Sequence, residues 1–190
     1  MIKRCAWLGD NPQMLAYHDQ EWGVPVREDR ELFEHLVLDG FQAGLSWSLV
    51  LKRREHLRRA FDGFVPERLA RYTPSRVARL LNDPGIIRNR LKVQAAVTNA
   101  RAYLDLRERR GSFATFLWEF VGGAPRENHW RTPSQVPAET KESRAASKAL
   151  KEHGFQFVGP TIVYAFMQAA GLVNDHVIRC FRHGEVAAMR

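Results

Sequence analysis

The chain has 190 residues, 45% of them apolar, which is enough for one or two compact domains with a hydrophobic core. Its apolar runs are too short for a membrane span, and no apolar stretch follows the charged N-terminus as in a signal peptide, so we expect a soluble, cytoplasmic protein. The formal net charge of +8 is typical of a protein with a polyanionic partner, most commonly nucleic acid, and equally of a basic surface kept for solubility.

Helix signals follow one another through the first half of the chain. Asp29, Ser46 and Thr73 are predicted N-caps, and Pro74 stands at a first helical position. Apolar residues at helical spacing follow each of them. We predict helices over about residues 12–18, 29–38 and 46–61, a short helix from Pro66, a helix from Pro74, and a long helix from about residue 90 to 109.

The second half continues the helical pattern with one irregular connection. Ser112 is a predicted cap for a helix that ends at Gly122, and residues 122–139 contain three prolines. We expect Trp130 and Val136 to hold this connection against the protein. Further helices are predicted up to residue 153 and over about residues 160–171, and the tail after Cys180 is expected to fray. No segment predicts a strand, so the fold class is all-α.

The turn segment between the second and third predicted helices carries unusual side chains. A carboxylate, Asp39, stands at one side and an indole, Trp47, at the other. Small residues between them permit a tight turn, and Leu45 has little reason to be exposed there. An acid, an aromatic plate and an apolar wedge suit an extruded nucleobase. A plain helix–helix turn with a core Trp accounts for the same residues.

Two cysteines and two histidines near the chain ends form a set typical of a metal site. Cys5 and His18 lie near the N-terminus, and His176 and Cys180 lie near the C-terminus with a spacing that places both on one helix face. Because a disulfide would not persist in the cytoplasm, metal binding or simple burial is expected. Four such ligands match a closed, structural zinc site, which would tie the chain ends together.

A helix–hairpin–helix is predicted around Gly85. Helices flank the sequence Asp-Pro-Gly-Ile-Ile at residues 83–87, and Arg88 adds positive charge. Backbone N–H groups of such a hairpin bind a DNA phosphate, aided by the N-terminus of the second helix. Only one of the two customary glycines is present, so an ordinary turn between helices remains the alternative.

Several blocks together closely resemble the 3-methyladenine DNA glycosylase I family, and the resemblance runs from about residue 3 to residue 180. Five blocks in the same order are far more specific than any one of them. The blocks are YHDQEWGVP (17–25), QAGLSW (42–47), GIIR (85–88), GFQFVGPT (154–161) and FMQAAGLVNDH (166–176).

The resemblance implies an α-helical base-excision repair enzyme of the helix–hairpin–helix superfamily that acts as a monomer on double-stranded alkylated DNA. It implies one unit over residues 1–190, with the helix–hairpin–helix part at about 66–121 and the termini, 1–25 and 172–182, joined by structural zinc. The implied zinc ligands are Cys5, His18, His176 and Cys180. The implied base-pocket residues are Tyr17, Asp39 and Trp47, with Trp7 and Trp22 nearby. The implied DNA-binding residues are Gly44, Leu45, Gly85, Ile86, Ile87 and Arg88.

The sequence departs from the family at the pocket carboxylate, which is usually Glu and is Asp39 here. Asp is shorter by one methylene, roughly 1.5 Å of reach, which matters for a hydrogen bond whose optimum is about 2.7–3.0 Å. Met14 also stands where some members carry an aromatic residue. These two departures bear on base affinity and substrate range rather than on the fold or on DNA binding.

The expected reaction is hydrolysis of the N-glycosidic bond of an extruded 3-methyladenine, stacked on Trp47 and bound at its edge by Tyr17 and Asp39. One alternative is a lyase-type glycosylase that uses Lys92, just past the hairpin, as a Schiff base. Another is a helical DNA-binding module of the same fold that has lost base specificity because Asp39 replaces Glu. A closed zinc site disfavours metal-activated hydrolysis.

Overall fold

The structure is a computed structural model that describes residues 2–189. Its described part is mostly helical, as predicted. The helices are α1 (Pro12–Gln20), α2 (Asp29–Gln42), α3 (Trp47–Ala60), α4 (Pro66–Leu69), α5 (Pro74–Leu80), α6 (Arg90–Arg110), α7 (Phe113–Trp118), α8 (Lys141–Glu152), α9 (Pro160–Ala169) and α10 (Phe181–Ala187). Within residues 2–189, no helix is long and apolar enough to cross a membrane.

The predicted caps begin their helices, with one exception. Ser46, Thr73 and Ser112 accept hydrogen bonds from the N–H groups of Leu49, Arg76 and Thr115 at 3.3, 3.3 and 3.1 Å. Asp29, predicted as the cap of α2, is wrong: the Glu28 side chain fills that position. The Asp29 carboxylate instead accepts three bonds at the start of α7, from Ser112, Phe113 and Ala114.

Helix α2 continues one turn beyond its predicted end, to Gln42, so Asp39 and Gly40 are helical. Gly40 faces Phe157, whose Cβ lies 3.5 Å from the place a Cβ of residue 40 would take. This is an ordinary van der Waals distance, so Gly40 lies close to the Phe157 segment without packing that requires a glycine. The actual turn, called the corner below, consists of residues 43–46.

The prediction of no strand is wrong by one short pair. Arg126–Glu127 (β1) pairs in parallel with Val173–Asn174 (β2), with Arg126 opposite Val173. Strands of two residues carry no alternating pattern, so only the tertiary structure specifies them. The pair anchors the irregular connection, and Trp130 and Val136 lie half-buried against the protein as predicted.

The chain ends also differ from prediction. The segment after Cys180 forms α10, with Val186 fully buried, so the expected fraying is wrong for the described residues. His176 and Cys180 lie on a turn rather than a helix face, closed by a bond from the Cys180 N–H to the Val177 carbonyl at 2.7 Å. The Phe181 N–H donates to the Lys3 carbonyl at 3.0 Å, so the two terminal segments lie side by side.

Candidate base pocket and DNA-binding surface

A cavity of about 340 Å³ opens between α1, the end of α2, the start of α3, the irregular connection and α9. This volume lies within the range of small-molecule sites. All five residues predicted for the base pocket line it. The lining is Cys5, Trp7, Met14, Tyr17, Trp22, Asp39, Gln42, Trp47, Pro133, Val136, Ala165, Gln168, Ala169, Asp175 and Val177.

Aromatic rings form much of the cavity wall. The Tyr17 and Trp47 rings lie 5.2 Å apart at 44°, and the Trp7 and Trp22 rings lie 5.0 Å apart, edge to face. Tyr17 is 2% exposed, whereas Trp7 is 40% exposed at the rim. A planar ligand entering past Trp7 would therefore meet aromatic surfaces deeper in the cavity.

Two buried polar atoms in the wall have no hydrogen-bond partner among residues 2–189. They are Asp39 Oδ2 and Trp47 Nε1. Most buried polar groups are paired, so an unpaired acceptor and an unpaired donor in one cavity indicate a ligand that supplies the partners. Burial raises the pKa of Asp39 well above its usual range, and burial together with the nearby Asp39 carboxylate raises the pKa of Tyr17.

The corner lies directly after the cavity wall. Gly44 has φ +74°, a conformation that favours glycine, and Leu45 is 40% exposed despite its apolar side chain. The Leu45 N–H donates to the Gln42 carbonyl at 2.6 Å, which closes the turn. The corner thus holds an exposed apolar side chain on a fixed backbone, as a wedge between bases requires.

The second turn, called the hairpin below, consists of residues 81–89 between α5 and α6. Gly85 is required by packing rather than by φ: a Cβ there would lie 2.1 Å from His56 Cδ2. Its N–H donates to Asp83 Oδ1 at 2.7 Å and so is not free for a phosphate. Ile86 is 4% exposed and belongs to the core.

The N–H groups left without a protein partner in the hairpin come next along the chain. Among the described residues, no acceptor pairs with the N–H of Ile87 or Arg88, and the first turn of α6 follows directly. Arg88 is exposed. These free donors, the helix N-terminus and a cation form an arrangement that suits a phosphate.

The four predicted metal ligands come together in the interior. Their donor atoms all lie within 4.8 Å of one another, and all four side chains are buried. Cys180 Sγ lies 3.4 Å from His18 Nε2 and 3.6 Å from His176 Nδ1, and Cys5 Sγ lies 3.7 Å from His176 Nδ1. Tetrahedral zinc with S and N ligands places such atoms about 3.6 Å apart, so the residues fit this ion.

The surroundings of the two histidines support the fit. His18 donates from Nδ1 to Asp19 Oδ1 at 2.8 Å, and His176 donates from Nε2 to the Trp22 carbonyl at 3.0 Å. Each imidazole therefore directs its other nitrogen into the cluster, as metal-bound histidines do. The hydrogen bond with the Cys5 thiol, and then those with His176 and His18, lower the pKa of Cys180, whereas the contact with Cys180 raises the pKa of Cys5. Cys180 is therefore the first of the two thiols to ionise.

Asp175 lines the cavity and was not predicted as a site residue. Its carboxylate accepts four hydrogen bonds, from side chains in the irregular connection and in α9: Asn128, Trp130, Tyr164 and Gln168, at 2.6–2.8 Å. It therefore fixes one wall of the cavity. Its position directly before a predicted ligand, His176, was the only sequence feature that pointed to Asp175. The four hydrogen-bond donors to Asp175 come from other segments of the chain, so the sequence does not reveal them.

Lys92, the candidate Schiff-base lysine, does not line the cavity. It is 6% exposed, and its Nζ donates to the carbonyls of Phe41, at 2.7 Å, and Ala43. A lysine committed to two backbone carbonyls is not placed to attack a sugar in the cavity. The lyase alternative based on Lys92 is therefore wrong.

Comparison with known proteins assigns the chain to a family. The model of the methyladenine glycosylase family matches residues 7–183. The chain belongs to this family. It is 50% identical to DNA-3-methyladenine glycosylase 1 of Escherichia coli (strain K12), over 94% of this chain and 96% of that protein.

Solved structures of methyladenine glycosylases have the same fold. A crystal structure of 3-methyladenine DNA glycosylase I superposes with a TM-score of 0.93 at 50% identity, covering 94% of this chain and 98% of that one. A tyrosine-to-phenylalanine variant of 3-methyladenine DNA glycosylase I, in complex with 3-methyladenine, superposes with a TM-score of 0.91 at 37% identity, covering 94% and 96%.

Proposed function

We propose that this methyladenine glycosylase extrudes 3-methyladenine from double-stranded alkylated DNA and hydrolyses its N-glycosidic bond, leaving an abasic site for base-excision repair. The observation that carries this proposal is the aromatic cavity in which a buried carboxylate oxygen, Asp39 Oδ2, has no partner among the described residues. A methylated purine supplies hydrogen-bond partners at its edge and two faces for the aromatic wall.

The charge of the leaving base determines how much acid catalysis the reaction needs. Adenine methylated at N3 is cationic while attached to deoxyribose and becomes neutral on release, so strong general-acid catalysis is not required. Water attacks the anomeric carbon, the C–N bond breaks, and its electron pair stays with the base. In this reaction Trp47 stacks on the base, while Tyr17 and Asp39 bind its edge, with Trp7 and Trp22 enclosing it.

Asp39 adds selectivity for a cation. Burial disfavours its charged form in the empty cavity, because no partner balances the carboxylate. A cationic base would supply that balance and lower the pKa of Asp39, whereas neutral adenine would not. We infer that binding of the alkylated base favours the ionised carboxylate.

DNA is held at two turns. Leu45, supported by Gly44, fills the gap that the extruded nucleotide leaves. The hairpin holds a phosphate through the N–H groups of Ile87 and Arg88 and the Arg88 side chain, while Gly85 and Ile86 shape its backbone. The excess of basic residues attracts the duplex at longer range.

Cys5, His18, His176 and Cys180 would hold zinc with a structural role. Four protein ligands complete a tetrahedron and leave no position for a reactive water, so the ion would supply rigidity rather than Lewis-acid chemistry. It would join segments 1–25 and 172–182. We further infer that residues 1–190 act as one monomeric unit, with the helix–hairpin–helix part at about 66–121.

The decisive experiment is chromatography of free 3-methyladenine released from methylated duplex DNA. The natural protein is compared with Asp39→Glu, and with Asp10→Asn as a control at an exposed carboxylate outside the cavity. Release by the natural protein and by the control is expected. Release only by Asp39→Glu would overturn the activity and favour a helical DNA-binding module whose base specificity has changed.

A further inference from the structure

A lysine from the hairpin side reaches the corner. Lys92 lies in the first turn of α6, directly after the hairpin, and is 6% exposed. Its Nζ donates to the carbonyl of Phe41 at 2.7 Å and to that of Ala43. These carbonyls belong to the end of α2 and to the first residue of the corner, where a cation also matches the helix dipole.

An arginine from the corner side reaches the hairpin. Arg53 lies on α3, which follows the corner, and its Nη1 donates to the carbonyls of Pro84 at 2.6 Å and Gly85 at 3.0 Å. His56, three residues further along the same helix, occupies the space beside Gly85. A cation of α3 therefore binds the backbone of the hairpin, and a cation of α6 binds the backbone of the corner.

The four carbonyls that these cations contact have no other donor among the described residues. The Phe41 carbonyl is buried and the carbonyls of Ala43 and Gly85 are partly buried, so these three need a partner, whereas the Pro84 carbonyl is exposed. The two cations therefore help to position the turns that they contact. Both cations lie outside the base cavity. Their own side chains therefore contact the two turns and not a ligand in the cavity.

We propose that Lys92 and Arg53 are a reciprocal pair of positioning residues that fix the corner, with Leu45, relative to the hairpin. The inference rests on the proposed function, since it assigns the two turns to base extrusion and phosphate binding. Lys92 keeps the wedge in position while the hairpin holds the strand. Arg53 keeps the hairpin in position against the helix that follows the wedge.

The two residues have separable effects on catalysis. Loss of the Lys92 contacts frees the corner, so the step that inserts Leu45 and extrudes the base slows even when all DNA is bound. Loss of the Arg53 contacts frees the hairpin, so the duplex binds less tightly while the rate at saturation is kept. Misplacement by about 1 Å at a site remote from the chemistry costs up to about 100-fold in rate.

The test compares Lys92→Met and Arg53→Met with a matched control, Arg101→Met. Arg101 is another cation of α6, and it donates to a backbone carbonyl, that of Ala70, at 2.9 Å, away from both turns. Base release is measured in single turnover at saturating enzyme. Affinity for undamaged duplex is measured by anisotropy, and affinity for free 3-methyladenine by tryptophan fluorescence.

We expect Lys92→Met to lower the single-turnover rate about tenfold, with little change in affinity for the duplex or the free base. Arg53→Met should weaken duplex binding severalfold with little change in that rate, and Arg53→Lys, which keeps a donor, should recover most of the affinity. A normal rate for Lys92→Met, or a parallel loss of free-base binding, overturns the assignment because the residue would then be dispensable or part of the pocket.

Amide hydrogen exchange in the absence of DNA tests the geometry without relying on glycosylase activity. Residues 43–46 should exchange faster in Lys92→Met than in the natural protein, while Arg101→Met should leave them unchanged. If the natural protein releases no base but this difference is present, the proposed function fails and the coupling stands. If the exchange is unaltered, the coupling itself is refuted.

Discussion

At the scale of single residues, the unpaired atoms in the cavity contrast with the paired ones around them. Asp175 accepts four hydrogen bonds, whereas Asp39, in the same cavity, keeps Oδ2 without a partner. An unsatisfied buried group costs about 1–3 kcal/mol. We propose that a carboxylate kept in this state serves binding rather than stability.

Asp39→Asn should therefore separate binding from folding. The amide keeps the size of the side chain and removes the charge that matches a cationic base. We expect unchanged or higher stability and at least about tenfold slower release of cationic alkylated bases from DNA, since hydrogen bonds to charged groups contribute about 1.5–3 kcal/mol. Denaturant unfolding and the chromatographic assay measure the two effects. Unaltered base release would show that the charge of Asp39 does not contribute.

His35 is another group with a buried atom, Nδ1, that has no hydrogen-bond partner in the part of the chain that the structure describes. Burial lowers its pKa from 6.5 to about 4. Between these values the unfolded chain binds more protons than the folded one, so the His35 contribution to stability is complete above about pH 6.5 and is lost as the pH falls towards 4.

Replacing His35 with Leu should remove this part of the pH dependence. The natural protein is expected to lose about 3 kcal/mol between pH 7 and pH 4 from His35 alone, because one pKa unit corresponds to about 1.36 kcal/mol. Urea unfolding of both proteins at several pH values gives the difference. Parallel curves for the two proteins would contradict the assignment.

At the scale of elements, local signals predicted where most helices begin. The caps Ser46, Thr73 and Ser112 depend on bonds within one turn, and all three are present. Features set by distant partners were missed. Helix α2 extends to Gln42, and Lys92 donates a hydrogen bond to a carbonyl in its last turn. Asp29 accepts hydrogen bonds at the start of α7, from residues 83 to 85 positions away.

The candidate site divides in the same way. Residue types and block order pointed to Tyr17, Asp39 and Trp47, and the cavity brings these residues together. The placement of Gly85 in the DNA-binding hairpin stays a prediction, and the sequence does not show that its N–H is bound by Asp83 or that its missing Cβ makes room for His56. No sequence pattern shows which helix packs on a hairpin.

Gly85→Ala tests this explanation of the glycine. The added methyl group would lie 2.1 Å from His56, so either the imidazole or the hairpin must move. We expect a stability loss of about 1 kcal/mol and weaker duplex binding, since overpacking costs about 1–3 kcal/mol and an exposed side chain yields at the low end.

Removing the imidazole should restore most of both properties in the Gly85→Ala/His56→Ala double variant, with His56→Ala alone as the control. Unfolding and anisotropy measurements are suitable. If the double variant remains as impaired as Gly85→Ala, the clash with His56 is not the cause.

At the scale of the whole molecule, the Cys–His cluster connects residues that are far apart in the chain, from Cys5 to Cys180. Closing loops of more than 100 residues reduces the entropy of the unfolded chain by an amount equivalent to about 4–5 kcal/mol. We expect one zinc ion per chain, measured with a colorimetric chelator after thiol modification. Cys180→Ser should lose the ion and at least this much unfolding free energy.

His56→Ala is a suitable control here, because that histidine lies outside the cluster. Its zinc content should equal that of the natural protein. A natural protein without zinc, whose stability is insensitive to chelators, would contradict the structural role of the ion. Chromatography of released 3-methyladenine would then show separately whether Trp22 and Val177, which contact both the cluster and the cavity, still shape the pocket.

The hydrogen bond between Phe181 and Lys3 has a further consequence for the connectivity of the chain. Because the segments at Lys3 and Phe181 lie side by side, a linker that follows α10 would join the two terminal segments, and new ends would be opened in an exposed loop such as that at Gly122 and Gly123. In such a circular permutant, Cys180 and Cys5 would become near neighbours in sequence. The cluster ligands, which are far apart in the natural sequence, would then lie close together in sequence. Folding of the permutant should therefore depend far less on which terminal segment is synthesised first.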